Sequence, residues 1–202
     1  MWRTAIATDS YRAASEDRAA VVGSFAVVAD EVGGRSGGGA AADAVVEAVL
    51  ELAEQPPHPW DRVRWMADLD RRMAESGTVG ETTAVVVYLT HVGPHGVAVG
   101  DSVTWWVTAD DWGELTTAAK PKPWVGSGTA FPVPFSRSLQ HVGTLLLATD
   151  GLVKYTSAER IVNVIRTTPF GDTPRALIEL VRPPSGRLPD DVAVIVARWE
   201  PE

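Results

Sequence analysis

The sequence contains no cysteine among its 202 residues, which excludes disulfide bonds and thiolate metal sites. It also has no excess of basic residues: the formal charge is −8 at pH 7, which argues against a nucleic-acid-binding surface. No apolar run reaches the roughly 20 residues that span a membrane, and residues 1–6 lack the apolar region of a signal peptide. We therefore predict a soluble, cytoplasmic protein that binds neither nucleic acid nor membrane.

The composition that remains is ordinary for a globular protein, with 45% hydrophobic and 22% charged residues. No linker divides the chain, so we predict a single domain over residues 1–202. Apolar runs predict strands over residues 2–8, 18–23, 24–30, 83–90, 96–100, 103–108, 113–117, 142–149 and 192–199. Helical spacing predicts helices over 40–54, 59–75, 157–168 and 174–181. This order predicts an α+β fold, a β-sandwich of two mostly antiparallel sheets flanked by helix pairs.

Two further stretches carry structural expectations. Residues 118–138 are rich in Pro, Gly and Ser without a clear period, so we predict an irregular segment there. Trp105 and Trp106 are adjacent in a predicted strand and must face opposite sides of it. We expect one of them inside the core and the other covering a surface or a partner.

Carboxylates stand at the boundary between a loop and a buried strand at four places in the chain. They are Asp30 with Glu31, Asp101, Asp150, and Asp190 with Asp191. Any one of these acids alone would more often cap a turn or face solvent, because burying an unpaired carboxylate is costly. If the four boundaries meet at one edge of the sandwich, their mutual repulsion requires a counter-charge. Oxygen-only ligands favour Mg or Mn over Zn as that counter-charge.

The order and spacing of these acids resemble the metal-dependent Ser/Thr protein phosphatases of the 2C (PPM) type. Five segments match the motifs of that family in order, from near residue 12 to near residue 198. They are residues 12–17 (R-x-x-N-E-D in the family), 29–34 (A-D-G-x-G-G), 100–102 (G-D-S), 149–151 (S/T-D-G) and 190–194 (D-N-x-T-V). Each motif is weak alone, but five in order form a specific signal.

The resemblance implies two bound ions of Mg or Mn and a loosely bound third. It makes Asp30 the ligand that bridges the first two ions, and it gives the second ion the main-chain carbonyl of Glu31. Asp150 and Asp190 would complete the protein ligands of the first ion, and Asp101 would hold the third ion together with Asp150.

The resemblance also implies the reaction, which is hydrolysis of phosphoserine and phosphothreonine in proteins. Glu16 and Asp17 would orient waters beside the ions. Arg12 would bind the substrate phosphate through its forked donors. A water shared by two ions loses a proton near neutral pH and attacks phosphorus in line. The expected partners are a phosphorylated protein and a Ser/Thr kinase or its targets.

The sequence departs from the family pattern at several positions. Glu31 occupies a glycine position, where its side chain either faces solvent or adds a carboxylate at the second metal. Glu81 stands where the segment G-S/T-T-A begins, and Val103 replaces an arginine. Residues 118–138 replace the family's flap subdomain, so the substrate preference does not transfer. Two alternatives therefore stay open: a weakly active or inactive relative that binds and regulates a phosphoprotein, and a phosphohydrolase for small molecules.

Overall fold

The strands and helices follow the predicted order closely. The computed structural model describes residues 1–11, 15–30, 38–54, 60–77, 80–119, 121–139 and 142–200. The strands within these ranges are β1 (Trp2–Asp9), β2 (Arg18–Val22), β3 (Phe25–Ala29), β4 (Ala84–Thr90), β5 (Gly93–Val99), β6 (Val103–Thr108), β7 (Trp112–Glu114), β8 (Val133–Ser136), β9 (Gly143–Ala148) and β10 (Val192–Trp199). The helices are α1 (Gly38–Glu54), α2 (Arg62–Ser76), α3 (Asp150–Val153), α4 (Ala158–Thr167) and α5 (Thr173–Val181), with a 3-10 turn at Phe170–Asp172.

Two five-stranded sheets pack face to face. The first has the order β1-β10-β9-β6-β7 and the second β2-β3-β4-β5-β8, with antiparallel pairing throughout both. Helices α1 and α2 cover the outer face of the second sheet, and α4 and α5 cover that of the first. The predicted α+β sandwich with flanking helix pairs is confirmed.

Three apolar layers hold the sandwich together, and β3 shows why the sequence produces them. All five of its residues are buried, because both faces of the strand are covered. Phe25, Val27 and Ala29 face α1 and α2, whereas Ala26 and Val28 face the other sheet. In β9, Leu145 and Leu147 enter the layer between the sheets in the same way, and Leu146 packs under the helices.

The segment 118–138 contains a strand that its composition did not indicate. Val133–Ser136 forms β8 and pairs with β5 at the edge of the second sheet. An edge position tolerates Pro134, which cannot donate a ladder hydrogen bond. Asp70 of α2, a buried carboxylate, fastens the preceding stretch by accepting bonds from the backbone N–H groups of Gly126, Gly128 and Ala130 at 2.8–3.0 Å.

The expectation for the adjacent tryptophans is half wrong. Trp106 lies between the sheets, as one of the pair was expected to do, but Trp105 is buried as well, at only 5% exposure. It packs beneath the helices of the first sheet and stacks on Trp112, with ring centroids 4.5 Å apart. The helix layer therefore covers the face that was expected to be open. No helix in the described ranges is long and apolar enough to cross a membrane.

Candidate metal and catalytic site

The acid-tipped strand ends meet at one edge of the sandwich, and the strand registers explain why. Arg18 pairs with Ala29, so Asp17 and Asp30 emerge side by side from the second sheet. In the first sheet, Ala148 pairs with both Val103 and Val194. The loops that carry Asp101, Asp150 and Asp190 with Asp191 therefore leave the first sheet at a common end.

Asp17 and Asp30 form the centre of this edge and share a hydrogen bond between their side chains. Burial, followed by the charges of Asp17 and Asp150, raises the pKa of Asp30 to about 10. Burial also raises the pKa of Asp17 to about 7, although hydrogen bonds from Thr149 and Asp30 oppose the rise. The charges of two carboxylates this close repel each other, so without a cation the pair favours one shared proton.

Asp17 Oδ2 has no hydrogen-bond donor among the described residues. The side chain is only 4% exposed, and its Oδ2 is fully buried without a hydrogen bond. A buried acceptor left unpaired is costly, and a cation or a water held by a cation would satisfy it. The donor set here consists of carboxylate oxygens, which suits Mg or Mn.

The carboxylates lie within electrostatic range of one another without forming a closed ligand set. Within the described ranges, no group of three Asp, Glu or His side chains is close enough to hold a metal ion as it stands. The convergence of the acids fits a hard divalent cation, whereas the individual ligand assignments stay predictions.

Asp150 begins the short helix α3, and its side chain is nearly buried. Lys154, one turn later, forms an ion pair with Asp150 Oδ2. Burial disfavours the charge on Lys154, but the hydrogen bond to Asp150 and the surrounding acids raise its pKa above the ordinary value. Burial and the charge of Asp150 raise the pKa of Asp190. An ammonium group therefore already lies among the acids of the first sheet.

The backbone of Asp30 is fixed by Thr82 and Thr83, the two residues that follow Glu81. The N–H of Asp30 donates to Thr83 Oγ1 at 3.1 Å, and its carbonyl accepts from Thr83 N at 2.9 Å and Thr82 Oγ1 at 2.8 Å. Thr83 Oγ1 also contacts Ser102 Oγ at 2.7 Å. The G-D-S step is thereby linked to Asp30, and the adjacent threonines after Glu81 were the available signal.

Asp191 was predicted as one of the carboxylates at a strand boundary, but its contacts with a distant loop were not predicted. It is 6% exposed and binds the loop between β1 and β2. Its Oδ1 accepts from Ser10 Oγ at 2.7 Å and from Tyr11 N at 3.1 Å, and its Oδ2 accepts from Glu16 N at 2.7 Å. These contacts hold both sides of the loop that contains the R-x-x-N-E-D-like motif.

The remaining predicted site residues are Arg12, Glu31, Glu16 and Asp101. Arg12 and Glu31 lie outside the described residues. Glu16 is partly exposed at the edge, tied through its backbone. Asp101 is exposed but close enough for its charge to raise the pKa of Asp30.

Comparisons with known proteins gave a family match and similar solved structures. The family model of Stage II sporulation protein E (SpoIIE) matches residues 23–200. No curated protein matches the sequence.

Solved structures of bacterial phosphatases share the fold. Serine/threonine phosphatase Stp1 from Staphylococcus aureus superposes with a TM-score of 0.87 at 19% identity, covering 100% of this chain and 96% of that one. The Mycobacterium tuberculosis serine/threonine phosphatase PstP/Ppp gives 0.84 at 21% identity, covering 99% of both chains. The catalytic domain of PstP in complex with two manganese ions gives 0.80 at 21% identity, covering 98% of this chain and 97% of that one.

These structures confirm the resemblance to the 2C-type phosphatases at the level of the fold. The family match extends over 178 of the 202 residues, because it runs from residue 23 to residue 200. The chain therefore belongs to the Stage II sporulation protein E (SpoIIE) family.

Proposed function

We propose that this protein is a Mg- or Mn-dependent phosphatase that hydrolyses phosphoserine and phosphothreonine in other proteins. The observation that carries the proposal is the surplus of carboxylates at one edge of the sandwich. The pKa values of Asp30 and Asp17 are both raised there, and Asp17 Oδ2 is buried without a hydrogen-bond donor among the described residues. A structural cluster would be expected to satisfy its own acids, whereas this one leaves negative charge for a divalent cation.

The proposed ligands are those that the resemblance to the 2C-type phosphatases implies. Asp30, Asp150 and Asp190 would hold the first ion, the main-chain carbonyl of Glu31 would contribute to the second, and Asp101 would contribute to a third. When bound, the ions supply positive charge that acidifies a water and polarises the phosphoryl oxygens. The two manganese ions in the similar PstP structure support a count of at least two.

The other residues act by holding protons and by orienting groups. Asp17 Oδ2 accepts a hydrogen bond from the attacking water and so orients a lone pair of the water oxygen towards phosphorus. The hydroxyls of Thr82 and Thr83 bond the backbone of Asp30, the first as a donor to its carbonyl and the second as an acceptor from its N–H, and so keep the Asp30 carboxylate in place. Arg12 binds two oxygens of the phosphate. Water adds to phosphorus, the ester P–O bond breaks, and the serine or threonine oxygen leaves with a proton.

The segment 121–131 favours a protein as the substrate, and we propose that it binds the substrate in place of a flap. Thr82, which holds Asp30, pairs with Val125 through two backbone hydrogen bonds of 3.0 Å, so the segment borders the site. Lys122 is exposed and stacks over the ring of Trp124 at 4.6 Å. A cation beside an aromatic ring is suited to an acidic phosphopeptide. A Ser/Thr kinase, or a target of one, would supply such a partner.

A second candidate function is a weakly active relative that binds a phosphoprotein and regulates it. The ion pair between Lys154 and Asp150 favours this alternative, because it already neutralises a proposed metal ligand.

The test is hydrolysis of p-nitrophenyl phosphate and of a phosphoserine peptide with Mn, with Mg and with a chelator. Asp30→Asn should lower turnover by more than about 100-fold, since even residues that only support a metal ligand cost 10–100-fold. Asp110→Asn is the matched control, because Asp110 follows the far end of β6 and is exposed. Metal-independent turnover, or full activity in Asp30→Asn, would refute the proposal. Peptide binding without hydrolysis would favour the regulatory alternative, and turnover of small phosphate esters alone would favour a small-molecule phosphohydrolase.

A further inference from the structure

Lys154 lies in an unusual position for a surface lysine. Its side chain is 51% exposed, but its Nζ contacts the Oδ2 of Asp150, whose side chain is only 11% exposed. The ammonium group also interacts electrostatically with Asp190 and Asp30. Its three acidic neighbours are therefore the three side chains assigned to the first metal ion.

The ammonium of Lys154 and the first metal ion cannot both occupy the space beside Asp150. An ammonium and a divalent ion a few ångströms apart repel each other, and both would bind the carboxylate of Asp150. Lysine carries a compact charge on a flexible four-carbon stem, and half of this side chain already reaches solvent. The ammonium group can therefore leave the acids by rotation of its own side chain, without movement of α3.

We propose that Lys154 is a built-in competitor of the first metal ion: it neutralises Asp150 in the metal-free protein and must be displaced for the ion to bind. The inference rests on the proposed function, because it takes Asp30, Asp150 and Asp190 as the ligands. Lys154 lowers the metal affinity of the site and stabilises the protein without metal. The site then fills only when the free metal concentration is high enough to displace the lysine.

The test compares Lys154→Gln with the wild type in two measurements that do not depend on activity. Titration calorimetry of the metal-free protein with MnCl2 gives the dissociation constant, and thermal unfolding in chelator gives the stability of the metal-free form. Lys154→Gln should bind Mn about tenfold more tightly, which corresponds to about 1.4 kcal/mol. It should also melt at a lower temperature in chelator, because Asp150 has lost its counter-charge.

Two further variants separate competition from other effects. Lys154→Arg keeps the charge and should keep both the wild-type affinity and the melting temperature. Arg72→Gln makes the same change in net charge at an exposed position of α2 and should leave Mn affinity unchanged.

Other outcomes overturn the inference in distinguishable ways. Unchanged or weaker Mn binding by Lys154→Gln, with a wild type that binds Mn and hydrolyses phosphoserine, refutes the competitor and leaves the proposed function intact. Equal tightening by Arg72→Gln shows a general charge effect and also refutes it. If neither the wild type nor Lys154→Gln binds Mn, the metal-dependent function fails as well.

Discussion

Without metal, the protein should lose stability as the pH rises from 5 to 8. The cause is the pair Asp17 and Asp30, whose pKa values in the folded protein are about 7 and about 10, against 3.8 for an ordinary aspartate. The folded state therefore binds more protons than the unfolded state across this range. Stability that comes from a raised pKa is complete below the unfolded value and is lost as the pH rises towards the folded values.

The size of the effect follows from the number of extra protons. One extra proton on the folded state changes the free energy of unfolding by about 1.4 kcal/mol per pH unit. Asp30 alone thus removes about 3 kcal/mol between pH 5 and pH 7, and Asp17 adds to the slope below pH 7. For a chain of this length that loss lowers the melting temperature by roughly 6–12 °C.

Tryptophan fluorescence can follow the unfolding, because the chain has eight tryptophans. Melting curves in chelator at pH 5, 6, 7 and 8 should show the decline, and it should be smaller in Asp30→Asn, which cannot titrate. Asp110→Asn should keep the wild-type slope. With Mn the trend should reverse, because metal ligands must be deprotonated before they bind. A melting temperature in chelator that is flat or rises with pH would refute the shared proton.

Two further substitutions test how the edge is held together. Asp70→Ala should lower the free energy of unfolding by about 3 kcal/mol, because it leaves three N–H groups of residues 126–130 without their acceptor. Asp68→Ala, the control on the same helix, should lower it by less than about 1 kcal/mol, because Asp68 forms only exposed ion pairs. Denaturant titration measures both; equal losses would contradict the assigned role. Gly151→Ala would put a Cβ 2.0 Å from a backbone carbonyl oxygen just before β10 and should destabilise by about 1–3 kcal/mol, whereas Gly171→Ala, with open space, should be nearly neutral. A neutral Gly151→Ala would show that the two loops do not pack as described.

The fold could be predicted from the sequence because its strands carry strong local patterns. The run at 25–29 is apolar at every position, and β10 was predicted with its observed bounds. The predictions that failed concern features that depend on distant parts of the chain. β8 contains Pro134 and forms only through pairing with β5, and the burial of Trp105 depends on helices that follow more than 50 residues later.

The candidate site also contains residues that local motifs predict and contacts that they do not. Asp30, Asp150 and Asp190 could be proposed because each lies next to one end of a strand in a recognisable motif. The hydrogen bonds that Asp191 accepts from Ser10 and Glu16 link residues about 180 positions apart, and no local pattern indicates them. Lys154 and Asp150 are only four positions apart, which is an ordinary spacing for an ion pair on a helix. The pair belongs to the site only because α3 lies at this edge of the sandwich, which the local sequence does not show.

The metal-free protein tolerates its acids by three different means, and these predict how metal would change the site. The raised pKa of Asp30 favours a proton on its carboxyl group, Asp150 pairs with the ammonium of Lys154, and Asp191 accepts hydrogen bonds from the loop between β1 and β2. A divalent ion can replace the proton and the ammonium, since both can leave to solvent. It cannot replace the loop donors without undoing the loop itself. Asp191 should therefore stay bound to the loop when metal enters, and metal binding should release protons while leaving the fold at this edge unchanged.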